Sequence, residues 1–225
     1  MSGFRLHNKG ILINKDAPIQ FSFDGKKMNG FKGDTLASAL LANGQTLVGR
    51  SFKYHRPRGI YSAGPEEPNA LVSLRQQGRH EPNTVATGIE LYDGLIANSQ
   101  NAWPSLNFDV MAAIQIFSPF LIAGFYYKTF MGTGQRFWHF CEHFIRRAAG
   151  MGKAGLEADP DRYEKANIFS DIVIIGGGCA GLIAARTAVQ SGAKILLVDE
   201  NPELGGASLE EEATIEGINT ADWIA

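Results

Sequence analysis

The sequence predicts an α/β protein in two parts: a small α+β domain and, after a helical connector, the beginning of a doubly wound α/β domain. Three observations support this. Residues 19–31 contain an alternating run, a turn and a second run, and apolar residues recur every three or four positions between 109 and 150. Residues 170–199 contain a strand pattern, a glycine-rich turn, a helix pattern and a second strand pattern. We therefore predict three segments, at 1–100, 101–167 and 168–225.

Composition excludes several classes of protein. The 225 residues are 44% hydrophobic and 20% charged, as in globular domains, and the net charge of -2 provides no basic field for nucleic acid or an anionic membrane. Two cysteines, Cys141 and Cys179, suggest neither a disulfide framework nor a metal site. No apolar run of the kind in secretory signals follows Met1, and polar residues interrupt the apolar stretch 108–131 too often for a membrane span. We expect a cytoplasmic protein.

The first segment begins with a predicted β-hairpin. Residues 19–23 alternate, Asp24-Gly25 forms a turn that tolerates positive φ, and residues 27–31 lead away. Asp34 is a plausible N-cap for a short helix over 35–42, whose apolar residues share one face. This pattern indicates a hairpin followed by a helix.

Strand-like runs at 69–74 and 84–92 complete a β-grasp-like domain, and the polar stretch 98–104 marks its end near residue 100. The apolar residues of the connector either pack in a core or line a surface for a cofactor or partner subunit. They are Ala112, Ile116, Phe137, Phe140 and Phe144. Residues 151–167 are weakly periodic and predict a linker.

The last segment carries the strongest motif. Residues 170–175 form a β-branched, apolar run typical of a parallel strand that is buried on both faces. Residues 176–181 satisfy G-x-G-x-x-G, residues 182–191 predict a helix that ends at a left-handed Gly192, and residues 194–198 predict a second strand. Strand, glycines, helix and second strand together predict a Rossmann-type unit that binds the ADP part of a dinucleotide.

Each glycine of the motif has a physical role. Gly176 permits the tight turn out of the strand, Gly178 lets a pyrophosphate approach the backbone, and Gly181 lets the helix pack closely on the sheet. The first amides of the helix, at Cys179 and Ala180, are expected to point at the phosphates. We expect Cys179 to be a small residue that fills the turn rather than a redox-active thiol.

An acidic pair ends the second strand. Asp199 lies 18 residues beyond Gly181, where a carboxylate accepts hydrogen bonds from the adenosine ribose. Its charge would repel a 2′-phosphate, which favours NAD or FAD over NADP. Glu200 either shares this role or is a solvated neighbour. The doublet that ends at Gly206 either contributes to the site or forms an ordinary surface turn.

A basic and aromatic loop stands apart from these elements. It contains Arg50, Phe52, Lys53, Tyr54, His55, Arg56, Arg58 and Tyr61, with the acidic Glu66 and Glu67 nearby. Three interpretations remain open: a structural loop or interface held by ion pairs, a contact to a flavin or NAD phosphate, and nucleic-acid binding. The sequence shows no partner that would make His55 a general base.

The chain resembles a known family. The glycine motif, Asp199 and the later glycine doublet are similar to those of flavoproteins with two dinucleotide-binding domains. The stretches 31–44, 49–60 and 63–70, followed by the helical segment and this motif, resemble the N-terminal part of the alpha subunit of heterotetrameric sarcosine oxidase. The resemblance also implies that residues 1–100 adopt a ferredoxin-like fold. Residues 1–140 contain no cysteine to ligate a [2Fe–2S] cluster, so we expect a scaffolding or subunit-contact role.

The resemblance implies an activity and partners. In this family the complex demethylates sarcosine oxidatively to glycine, and folate receives the one-carbon unit. The catalytic FAD and FMN lie on the beta subunit or at the interface, so the implied role of Gly176, Gly178, Gly181 and Asp199 is NAD binding. FAD presents the same ADP and remains possible. The expected partners are the beta subunit, the small subunits and the rest of an alpha subunit, without which this chain is not expected to be catalytically competent.

Two other interpretations remain. The chain could serve a related amine dehydrogenase that acts on proline, hydroxyproline or an opine. It could also be a non-catalytic assembly module that NAD stabilises.

Overall fold

A computed structural model describes residues 5–6, 10, 12–120, 123–124, 134–148, 150–201, 203–209 and 214–224. The chain divides into two compact units, Met1–Asp161 and Arg162–Ala225, which are described separately. The finer boundaries near residues 100 and 167 stay predictions.

The described residues of the first unit form seven strands and two α-helices. In chain order they are β1 (Asn14–Phe23), β2 (Lys26–Lys32), α1 (Leu36–Ala42), β3 (Gly49–Arg50), β4 (Pro57–Arg58), β5 (Leu71–Leu74), β6 (Glu81–Val85), β7 (Ile96–Ser99) and α2 (Gln135–Ala148). Five strands form a mixed sheet in the order β2-β1-β7-β5-β6, with β1 and β7 parallel. The remaining pairs of this sheet are antiparallel, and β3 pairs with β4 as a separate two-stranded ribbon.

The predicted hairpin is confirmed. Strands β1 and β2 pair antiparallel from Phe23 and Lys26 outward. The turn residues Asp24 and Gly25 have φ of 48° and 75°, the left-handed conformation that Asp and Gly tolerate.

The predicted helix is present, but its cap is Thr35 and not Asp34. The Thr35 side chain accepts a hydrogen bond from the Ser38 N–H at 3.1 Å. Asp34 is fully buried, where it pairs with Arg5 at 2.7 Å and accepts from the Ser38 hydroxyl at 2.7 Å. A buried carboxylate requires such partners, so Asp34 fixes the helix to the strand before it instead of capping it.

The core of the first unit lies between α1 and the sheet. Its fully buried members come from both layers and from the loops that join them; the largest are Phe23, Leu36, Leu40, Val48, Val72, Leu91 and Leu95. This contiguous cluster of buried apolar side chains stabilises the unit.

The strands predicted near the end of the first domain were partly wrong. The strand predicted over 84–92 ends at Val85 and continues as a 3₁₀ turn, Ala86–Gly88. Strand β7 was missed, and it occupies the centre of the sheet between β1 and β5. The polar pair Asn98-Ser99, which suggested a break, lies inside this strand because its backbone groups pair with β5.

The connector contains two helical segments among its described residues, and its described residues 150–167 are not helical. A 3₁₀ segment spans Val110–Phe120 and is followed by α2; residues 125–133 lie outside the described residues. The core interpretation of its apolar residues is wrong, because Ile116 is 77%, Phe140 64% and Phe144 58% exposed. None of the described helices is long and apolar enough to cross a membrane.

The second unit is built on two parallel strands. Its elements are β8 (Ile172–Ile175), α3 (Cys179–Val189), β9 (Ile195–Val198), a 3₁₀ turn (Gly206–Leu209), β10 (Thr214–Ile215), β11 (Ile218–Asn219) and α4 (Thr220–Ile224). The predicted strands and helix are confirmed, although α3 begins three residues before the predicted start. The expectation of a strand buried on both faces is wrong, because Val173 is 55% and Ile175 87% exposed.

Candidate functional site

The glycine-rich turn joins β8 to α3. Gly176 has φ of +101° and donates its N–H to the Val198 carbonyl at 2.8 Å, which fixes the turn to the end of β9. Gly178 is the N-cap of α3 and has extended backbone. Because Gly178 has no side chain to cap the helix, the first amides of α3 have no side-chain cap.

The glycine positions of the turn differ in the space that they leave for a side chain. A Cβ at Gly181 would overlap the Gly176 carbonyl oxygen, so the close packing of helix on strand admits only glycine there. A Cβ at Gly178 would meet nothing within 4 Å. Gly178 therefore leaves open space in front of the α3 N-terminus.

The start of α3 is suited to an anion. The amides of Cys179 and Ala180 open the helix, and the helix dipole adds partial positive charge at the same end. The Cys179 thiol lies 2.5 Å from the Ser208 hydroxyl, so it contacts the 3₁₀ turn that follows the glycine doublet. The role of Cys179 as a small residue that fills the turn stays a prediction.

Asp199 lies at the carboxyl end of β9, beside the turn. One carboxylate oxygen accepts a hydrogen bond from the Gly177 N–H, and the other accepts from the Asn201 N–H at 2.7 Å and its side-chain amide at 2.9 Å. The bond from Gly177, followed by those from Asn201, lowers the pKa of Asp199 below its usual range. Asp199 is therefore an anion with lone pairs left for a further donor, whereas the Glu200 side chain is exposed.

The glycine doublet lies against the same turn. Gly205 donates its N–H to the Gly177 carbonyl at 2.8 Å and bridges to Gly178. Gly206 has φ of +55°, and a Cβ there would lie 3.3 Å from the Gly178 Cα. These contacts distinguish the doublet from an ordinary surface turn. The structure thus brings every predicted site residue except the Glu200 side chain to one edge of the β8–β9 pair.

The basic loop of the first unit is anchored from within. Arg50 donates to the Leu106 carbonyl and, at 3.2 Å, to the His55 carbonyl. His55 is 3% exposed and its Nδ1 lies 2.7 Å from an Asp109 carboxylate oxygen. Sequence reasoning missed this partner, because 54 residues separate the pair and no local pattern connects them.

One of the acidic residues near this loop fixes it through backbone hydrogen bonds. Glu67 is buried, and its carboxylate accepts hydrogen bonds from four backbone N–H groups, those of Tyr61, Ser62, Asn69 and Ala70. Burial raises the pKa of Glu67, but these four donors outweigh it and the net pKa is lowered. Backbone hydrogen bonds therefore fix the loop, which favours the structural interpretation.

Two family descriptions match the chain. Residues 16–102 match the family described as 2Fe-2S iron-sulfur cluster binding domain, and residues 171–222 match FAD dependent oxidoreductase. The first match contains no cysteine. Residues 16–102 therefore have a ferredoxin-like fold without the thiolates that a [2Fe–2S] cluster requires.

Similar proteins include alpha subunits of one enzyme. The chain is 57% identical, over 99% of its length, to the sarcosine oxidase subunit alpha of Rhizobium meliloti, and it covers 22% of that protein. It is 33% identical, over 96% of its length, to the sarcosine oxidase subunit alpha of a Corynebacterium species, and it covers 18% of that protein. The chain thus spans about a fifth of the length of these relatives. The structure of an L-proline dehydrogenase from P. horikoshii matches with a TM-score of 0.50 at 19% identity, over 95% of this chain and 31% of that one, which supports the fold alone. The chain is homologous, over nearly all of its length, to the N-terminal part of sarcosine oxidase alpha subunits.

Proposed function

We propose that the second unit holds the ADP part of NAD and that the chain acts as the dinucleotide-binding part of a sarcosine oxidase alpha subunit. One observation carries the proposal. The N-terminus of α3, where Gly178 leaves open space, and the Asp199 carboxylate lie at the same edge of a parallel strand pair. Ligands bind at this edge in doubly wound sheets. The match to FAD dependent oxidoreductases supports a flavin at the same motif equally well, because FAD and NAD share the ADP.

Different residues of the site would bind different parts of the dinucleotide. The amides of Cys179 and Ala180 would donate to the pyrophosphate, which Gly178 and Gly206 leave room to approach. Asp199, already ionised and held by Gly177, would accept hydrogen bonds from the ribose hydroxyls. Its negative charge disfavours a ribose that carries a 2′-phosphate. When bound, the dinucleotide supplies hydride or electron-transfer chemistry to the enzyme.

The names of the relatives support a reaction for the complete enzyme. The relatives are named as subunits of sarcosine oxidase, which supports oxidation of sarcosine by the proposed complex. We further propose that the product is glycine and that folate receives the one-carbon unit. The proposed partners are a beta subunit, small subunits and the rest of an alpha subunit, with FAD and FMN on the beta subunit or at its interface. In this complex the first unit is a scaffold without a cluster.

Calorimetric titration of the 225-residue chain with NAD, FAD, ADP and NADP tests the nucleotide site. Gly178→Val should abolish binding, because its side chain would enter the space proposed for phosphate, and its Cβ would meet no protein atom within 4 Å. Asp199→Ala should weaken NAD binding by about tenfold and reduce the preference for NAD over NADP.

Two matched controls accompany these variants. Gly88 also faces open space, but in the first unit, so Gly88→Val should leave binding unchanged. Asp171 accepts the Lys194 N–H at 2.8 Å at the opposite end of the strand pair, so Asp171→Ala should also leave it unchanged. Absence of nucleotide binding to folded chain, or equal binding by Gly178→Val, would overturn the proposal. Tighter binding of FAD than of NAD would assign the site to flavin.

A further inference from the structure

A cavity in the first unit lies apart from the features described so far. Its volume is about 650 Å³, within the range of small-molecule sites. The ends of β5 and β7 form one wall through Ser73, Ser99 and Gln100. Helix α2 and the segment after it form the other wall, with three basic side chains, His143, Arg146 and Lys153.

Hydrogen bonds fix the first wall. The side-chain oxygen of Gln100 accepts a hydrogen bond from the Ser73 hydroxyl at 2.9 Å and another from the Asn83 backbone N–H at 2.8 Å. The Gln100 amide donates to the Asn83 side chain at 3.2 Å and to the Gly150 carbonyl at 3.3 Å. This wall therefore has a defined shape before any ligand arrives.

Two glycines attach the segment that carries Lys153 to the same network. Gly150 has φ of +74°, and a Cβ there would overlap the Asn101 side chain. Gly152 donates its N–H to the Asn83 side-chain oxygen at 2.8 Å, and a Cβ on it would lie 2.5 Å from Gln100 Oε1. The backbone next to Lys153 is thus held by contacts that only glycine allows, which positions the lysine at the cavity.

The charged side chains among the described lining residues are basic. Among the described residues that line it there is no aspartate or glutamate. Two acidic side chains contact lining residues: Glu142 pairs with Arg146, and Asp24 accepts the Ser99 hydroxyl at 2.9 Å. Arg146 keeps further N–H donors beyond that pair, and Lys153 adds its own charge. Basic groups that line a cleft raise the local potential and favour an anion there.

We propose that this cavity binds a small organic anion with at least two negatively charged oxygens, either a dicarboxylate or a phosphate ester. Lys153 and Arg146 provide the charge, and His143 provides a ring nitrogen for hydrogen bonding. Their bonds to carboxylate or phosphate oxygens would be charge-assisted. The site lies within the first unit and does not depend on the proposed dinucleotide site.

A local NMR signal tests the proposal. The chain is labelled with ¹³C in its histidine rings, the His143 resonance is assigned with His143→Gln, and succinate and glycerol 3-phosphate are titrated separately, with neutral succinamide as the control ligand. The His143 resonance should shift saturably with at least one anion, while those of His55 and His80 stay in place. The anion that binds more tightly identifies the class, dicarboxylate or phosphate ester.

Charge variants complete the test. Lys153→Gln and Arg146→Gln should each raise the dissociation constant by about tenfold or more, since each removes a charge-assisted hydrogen bond. Lys27→Gln removes an exposed charge from β2, outside the cavity lining, and should leave the constant unchanged. No saturable shift with either anion, an equal shift with succinamide, or unchanged affinity in Lys153→Gln would overturn the proposal.

Discussion

The two units differ in how they cover apolar strands. In the first unit Val72 of β5 and Ala97 of β7 are fully buried beneath α1 and the loops. In the second unit Val173 and Ile175 of β8 are 55% and 87% exposed, although β8 is the more apolar strand. Its sequence is typical of a strand covered on both faces, and within the described residues α3 covers only one of them.

This difference shows that the candidate nucleotide site does not depend on apolar burial. The site is shaped by the left-handed Gly176, by the overlap that excludes a side chain at Gly181, and by the bonds that Asp199 accepts. These are local backbone constraints. The first unit instead gains its stability from a contiguous core, so substitutions in the two units should have unequal effects.

The largest effect is expected from Phe23→Ala. Phe23 is 2% exposed in the core of the first unit, and truncation should lower the free energy of unfolding by about 3–5 kcal/mol. Amide hydrogen exchange at Ser22, whose N–H donates to the Leu95 carbonyl at 2.9 Å, measures this locally. A loss below about 1 kcal/mol would show that this core does not carry the stability assigned to it.

A smaller effect, which depends on pH, is expected from Glu67→Gln. A glutamine retains one oxygen for the four backbone donors, so we expect a loss of about 1–3 kcal/mol at neutral pH. Because the pKa of Glu67 in the folded protein lies below its ordinary value of 4.5, its contribution is present above pH 4.5 and is lost as the pH falls below that.

Urea unfolding between pH 3 and pH 7 checks this prediction. The difference between wild type and Glu67→Gln should shrink toward the acidic end of the range. Glu66→Gln is the matched control, because Glu66 is exposed, and it should not change the profile. A constant difference at every pH would contradict the assigned role of the Glu67 carboxylate.

The elements that the sequence predicted correctly are those specified by neighbouring residues. The Asp24-Gly25 turn and the β8–α3–β9 unit are examples, because turn conformation, hydrophobic period and glycine spacing are local properties. Strand β7 escaped prediction because it has four residues and two are polar. Its place in the sheet depends on backbone pairing with distant strands.

In the candidate site, too, features set by neighbouring residues were predicted, and features set by distant contacts were missed. The positions of the three glycines followed from spacing, while nucleotide binding itself stays a prediction. The bonds from Asn201 to Asp199 were missed, although an Asp followed two residues later by a backbone donor is a known turn pattern that could have indicated them. The His55–Asp109 pair had no such signal. Burial of β8 was predicted wrongly because burial depends on what packs against a strand as well as on its composition.

The smallest effect is expected from Ile175→Ala, which tests the exposed face of β8 directly. Ile175 is 87% exposed, so truncation should change the free energy of unfolding by less than about 0.5 kcal/mol. Ile174, on the neighbouring position of the same strand, is partly buried beneath α3, where it lies 3.6 Å from the position of a Cβ on Gly181. Ile174→Ala should therefore cost more than Ile175→Ala.

The fluorescence of Trp223 reports on the second unit when Trp103 and Trp138 are replaced by phenylalanine, since the chain contains three tryptophans. Urea unfolding of both isoleucine variants in this background compares the two positions under the same conditions. If Ile175→Ala costs as much as Ile174→Ala, the outer face of β8 is covered in solution and the contrast between the two units disappears. If Ile174→Ala alone is destabilising, the second unit maintains its turn and helix with one covered face.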